Sequence, residues 1–79
     1  MADEQEVQAE NKKIRYLRIV VDLSLQQIVQ GDLTLDQVYG LMESVRKFAL
    51  RLFPGKEYEF DLIYGPRFRR AIKGRYPIH

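Results

Sequence analysis

The chain has 79 residues, no Cys, a single His at the last position, and 13 Lys and Arg against 11 Asp and Glu. That length makes one domain with a small core, burying only about 60% of its unfolded surface. The missing Cys excludes disulfides and thiolate metal sites, so oligomerisation is the reinforcement that remains open to it. The net charge of +2 is small, but the charge is unevenly spread: residues 1–10 carry four acids and no base, and residues 66–79 carry five bases and no acid. A split of this kind points to a charged partner.

Residues 1–11 show no hydrophobic period and read as a disordered arm, leaving 12–79 as one small helical domain. The acidic start lacks the basic-then-apolar order of a secretory leader. The best apolar run, "IVVDLSL", is interrupted by Asp22 and Ser24 and falls short of the roughly 20 residues of a membrane span. A cytoplasmic protein that contacts no membrane is the expectation.

From about 12 to 30 the text "KKIRYLRIVVDLSLQQIVQ" follows a helical period. Ile14, Leu17, Val20, Val21, Ser24, Leu25 and Ile28 fall on one broad face, while Arg15, Arg18, Asp22 and Gln26 fall opposite. Tyr16, Ile19 and Leu23 occupy a third side. One neighbour cannot cover that much apolar surface. Either the C-terminal segment shelters these three residues or they form an interface, with a second copy as the natural partner. Asn11 is placed to cap this helix and Gly31 to end it.

"GDLT" is a tight connection, and "TLDQ" has the form of a capping box, with Thr34 and Gln37 reaching for each other's amides. The helix over 35–53 carries a continuous stripe from Leu35 through Val38, Val45 and Ala49 to Phe53. Glu43 and Lys47 have the spacing of an ion pair on its outer face. "FPGK" stops this helix. Two long helices joined by a short link predict an antiparallel hairpin over 12–30 and 35–53.

Residues 57–64, "EYEFDLIY", are ambiguous between a short helix and a strand. Gly65-Pro66 reads as a junction, 66–73 as a final short helix ended by Gly74, and "RYPIH" as a tail. The fold expected is therefore all-α, with short C-terminal helical segments packed across the hairpin. The alternative is α+β, with strands at 14–21 and 57–64 paired to each other.

The segment "PRFRRAIKGRYPIH" places Arg67, Arg69, Arg70 and Lys73 on one arc of its helix, with Arg75 following. Five cations without an acid suit a polyanion or an acidic protein surface. They also suit a solvated outer face, with the acids at 57, 59 and 61 as counter-charges. If the tail lay near the start of the first helix, these cations would merge with Lys12, Lys13, Arg15 and Arg18 and strengthen a nucleic-acid reading. The two helices around "GDLT" make a poor DNA reader, because the second is long and mixes both signs on its exposed face.

Catalytic constellations are absent. His79 is terminal, Ser24 and Ser44 have no base nearby, and Glu57, Glu59 and Asp61 lack the Gly and distal Glu of a calcium loop. No catalytic residue, cofactor or metal site is assigned. The sequence thus predicts a non-enzymatic helical interaction module that pairs with itself or another protein, with Tyr16, Ile19 and Leu23 as the interface. The alternative is a nucleic-acid-associated protein that binds phosphates through 66–75. A third possibility is a small ligand among Tyr58, Phe60 and Tyr64.

Overall fold

The computed structural model describes the backbone of residues 4–76 and the side chains of residues 9–76. His79 and the rest of the last three residues lie outside the described residues, as do residues 1–3. Three helices make up the fold: α1 (Glu4–Gln30), α2 (Leu35–Leu52) and α3 (Glu57–Arg75). Each packs against the other two, and no strand occurs among the described residues. The all-α reading holds. The α+β alternative fails, because both 14–21 and 57–64 are helical.

The β-branched residues of α1 do not make a strand because the apolar period is helical. Leu17, Val21, Ser24 and Ile28, spaced by four, three and four, are the buried positions. Ser24 keeps its hydroxyl satisfied inside the core by donating to the Val20 carbonyl at 2.7 Å. Val38, Val45 and Ala49 of α2 and Phe60, Phe68 and Ile72 of α3 close the core from the other two sides.

The helix α1 starts earlier than expected. Its backbone is helical from Glu4, so the predicted arm over 1–11 is helical where it is described, and Asn11 lies inside the helix rather than capping it. Glu, Gln and Ala are good helix formers, and the acids at 4 and 6 sit near the positive end of the helix dipole. At about 1.5 Å per residue, 27 residues span roughly 40 Å, against under 30 Å for each of the other helices. Leu17 is the first buried residue of α1 among those whose side chains are described, and residues 9–12 are exposed, so this part of the helix extends past the bundle.

The connection after α1 depends on Gly31. Its amide donates to the Gln27 carbonyl at 2.7 Å, and a Cβ at this position would collide with that same oxygen. The capping box of α2 forms as read: the Thr34 hydroxyl accepts from the Gln37 amide at 3.2 Å, and the Thr34 amide donates to Gln37 Oε1 at 2.9 Å. The turn to α3 uses Gly55 at φ +79°, a left-handed conformation that Gly adopts without a steric penalty. Gly40 is exposed, with nothing within 4 Å of a Cβ there; the structure does not explain it.

The C-terminal region departs most from expectation. Instead of two short pieces divided at Gly65-Pro66, one helix runs from Glu57 to Arg75 with Pro66 inside it, and Gly74 does not end it. The reason is burial on both sides of the proline. Phe60 precedes it and Phe68 and Ile72 follow it on one face, all buried. Burying Phe68 and Ile72 contributes about 1.5–3 kcal/mol each. Together they offset the roughly 3 kcal/mol that an interior Pro costs. The carbonyl that Pro66 leaves without an amide partner belongs to Leu62, a residue on the solvent side of the helix.

Leu17 lines a cleft with Ala49, Leu50 and Phe53 from the end of α2 and with Phe60 and Tyr64 from the start of α3. At the other end, the Tyr76 hydroxyl donates to the Leu33 carbonyl in the α1–α2 connection. The end of α3 is therefore anchored beside the end of α1.

Candidate protein-interaction surface

Tyr16, Ile19 and Leu23 lie at i, i+3 and i+7 of α1, one stripe of a helix. The core face of α1 lies elsewhere, at Leu17, Val21 and Ile28. Neither α2 nor α3 covers the stripe: Tyr16 is 62% exposed, Ile19 49% and Leu23 60%. Shelter by the C-terminal segment is thereby ruled out for 57–76. The same helical face continues with Lys12 on one side and Gln26, Gln27 and Gln30 on the other, all exposed. Arg15 and Asp22, seven residues apart, border the stripe on the edge nearer α3. Neither has an ion-pair partner among the described residues, where the pairs are Lys13–Glu10 at 3.6 Å and Arg46–Asp61 at 2.9 Å. The pair expected between Glu43 and Lys47 does not form.

The cations of α3 are all exposed, but the helix distributes them around its circumference. Arg67 turns toward α1, its guanidinium 5.7 Å above the Tyr64 ring, and shares a groove with Arg18, Asp22 and Ile63. Arg69 turns toward α2, lies across Gly65 and, with Lys73, Tyr39 and Met42, borders a different depression. Arg75 stacks 5.7 Å over the ring of Tyr76. Arg70 points to solvent. Tyr76 lies by the α1–α2 connection, at the opposite end of α1 from Lys12, Lys13 and Arg15. Of the basic group on α1, Arg18 shares a groove with a cation of α3, Arg67.

The acids at 57, 59 and 61 do not serve the α3 cations. Asp61 pairs with Arg46 of α2 in a two-pronged contact, its carboxylate accepting from Nε at 2.9 Å and from Nη2 at 3.1 Å. That hydrogen bond holds the Asp61 carboxyl below its ordinary pKa and raises Arg46 above its own. Glu59 and Lys56 stand at the rim of the cleft lined by Leu17, Phe53 and Phe60. Among the described residues no three carboxylate, imidazole or thiol groups gather as metal ligands.

That cleft has a volume of about 340 Å³ and is almost wholly apolar. Phe60 and Tyr64 belong to it, their rings 5.2 Å apart and tilted by 39°. Tyr58, grouped with them by sequence, is 73% exposed and points away. No described helix is long and apolar enough to cross a membrane. No family model matches the chain, and neither the curated proteins nor the solved structures offer a match.

The Arg46–Asp61 pair was not legible in the sequence. Its members are fifteen residues apart on two helices, and only the packing of α2 on α3 brings them together.

Proposed function

We propose that the protein is a non-enzymatic, cytoplasmic helical interaction module that associates with a second copy of itself through the outer face of α1. The observation that carries this reading is the uncovered stripe of Tyr16, Ile19 and Leu23, three large apolar side chains at helical spacing on one face of α1; Ile14, Val29, Tyr39, Tyr58, Leu62 and Ile63 are the other exposed large apolar residues among those described. Fully burying a side chain of this size contributes about 1.5–3 kcal/mol. Covering the part of each that water still reaches, between 49% and 62%, is worth roughly 1–2 kcal/mol. Six such side chains in a dimer give on the order of 6–12 kcal/mol, comparable with the ~4–15 kcal/mol that association costs. The dimer is accordingly weak, and contacts flanking the stripe decide its affinity.

An observation in favour of polyanion binding is that Arg18 and Arg67 face one groove. Asp22 shares that groove, and Arg69 and Lys73 belong to another side of α3. The divided cations support a protein partner over a phosphate backbone.

The test is the mass of the native chain, measured by light scattering from low micromolar to several hundred micromolar protein. A rise from one chain to two across that range is expected. A single-chain mass throughout overturns the reading.

A further inference from the structure

The uncovered stripe of α1 leaves open which way two copies would lie, and the charges beside it answer that. Resting on the self-association proposed above, we infer that the two α1 helices pair antiparallel, with Tyr16 of each copy against Leu23 of the other and Ile19 beside the two-fold axis.

The edges of the stripe set the orientation. When two identical helices pack antiparallel about a two-fold axis, the same edge of each faces the other; when they pack parallel, opposite edges meet. One edge of this stripe carries Arg15 and Asp22. The other carries Lys13, Val20 and Gln27, again seven residues apart. Antiparallel packing sets Arg15 of one copy beside Asp22 of the second and Asp22 beside Arg15. It makes two symmetric pairs from charges that have no ionic partner among the described residues. Parallel packing sets Arg15 beside the Lys13 edge, with no acid to meet.

The ends of the helix agree with its middle. Residues 4–10 of α1 carry three acids and no base, and residues 12–18 carry four bases and no acid. Parallel packing stacks acid on acid and base on base along this length. Antiparallel packing brings Lys12 to the uncharged Gln27 and carries the acidic opening turns of α1 past Gln30 of the second copy. That is the end of the bundle where the Tyr76 hydroxyl fastens the end of α3 to the Leu33 carbonyl, and where Lys73 and Arg75 stand exposed. Glu10, near the start of α1, is then carried toward the Lys73 and Arg75 end of α3 in the second copy. The projecting turns of α1, exposed at residues 9–12, acquire a place to lie.

The absence of Cys makes disulfide mapping clean. Lys12→Cys and Gln27→Cys chains are prepared separately, mixed and oxidised near the dimer midpoint, with mass followed by light scattering. The expected product is the mixed disulfide between the two variants, in excess over either homodisulfide. In parallel, Arg15→Glu weakens dimerisation about tenfold by placing like charges together, and adding Asp22→Arg to the same chain restores it. Both positions are exposed, and circular dichroism verifies that the helices persist. A dominant Lys12→Cys homodisulfide in a sample of dimeric mass overturns the antiparallel register and leaves self-association standing. Failure of the charge exchange to restore affinity also overturns the register. A single-chain mass in every sample, native chain included, overturns both.

Discussion

Replacing Leu23 by Glu is the most direct challenge to the α1 surface, and its size follows from exposure. Leu23 is 60% exposed in the single chain, so the substitution removes less than half of one side chain's burial from the fold itself. That loss is about 0.6–1.2 kcal/mol, and Glu is as good a helix former as Leu. In the proposed dimer the remaining exposed part of the side chain is covered twice, once per copy, worth about 2–4 kcal/mol together. At 1.4 kcal/mol per factor of ten, the lost burial alone weakens association by about 30- to 700-fold. Placing two carboxylates against Tyr16 of the opposite copy adds a desolvation cost on top. Sedimentation velocity over a concentration series, with thermal unfolding monitored by circular dichroism, separates the two effects: association should vanish while the melting transition of the dilute single chain shifts by only a few degrees. A Leu23→Glu chain that dimerises with native affinity refutes the assignment of this face. A chain that unfolds outright shows that Leu23 belongs to the core, which refutes the exposure on which the reasoning rests.

Other perturbations report on the bundle. Phe68 is 2% exposed, so Phe68→Ala should cost about 3–5 kcal/mol, a large part of the ~4–12 kcal/mol typical of a domain this size, and urea unfolding will show a midpoint shifted sharply down or lost. Thr34→Ala removes one side of the capping box and should cost about 1 kcal/mol, lowering the melting temperature by about 4–8 °C in a scanning experiment. The Arg46–Asp61 pair makes stability pH-dependent in a defined direction. The folded-state pKa of Asp61 lies below its unfolded value of about 3.9, so its contribution is present above that value and is lost as pH falls through the folded pKa. The native chain should therefore lose stability more steeply than Asp61→Asn as the pH is lowered below about 5, measured as the difference between their urea midpoints.

The elements were legible where a single principle dominated. The capping box at Thr34 and Gln37 and the apolar stripe from Leu35 to Phe53 each depend on short-range spacing, and both appear in the fold as read. The start of α1 was misplaced because residues 4–11 lack an apolar period. Their helix needs none, since it continues an existing one through good helix formers and buries nothing at 9–12. The unbroken α3 was missed for the opposite reason. Pro66 is a strong local signal for a boundary, but Phe60, Phe68 and Ile72 outweigh it only when all three face the same core, and that knowledge comes from packing.

The same division governs the surfaces. The stripe of Tyr16, Ile19 and Leu23 was readable because its spacing placed it off the core face, although whether α3 would cover it depended on where α3 docks. The basic run at 67–75 resembled a patch because it is dense in sequence, yet a helix turns about 100° per residue. Once its Phe68–Ile72 side is set into the core, Arg67 and Arg69 are left on opposite flanks, facing different helices. A run of like charges on a docked helix is thus shared between two grooves rather than focused on one ligand. A stripe at intervals of three and four residues stays together whatever the helix docks against, which is why Tyr16, Ile19 and Leu23 remain one contiguous side of α1 while the cations of α3 do not remain one patch.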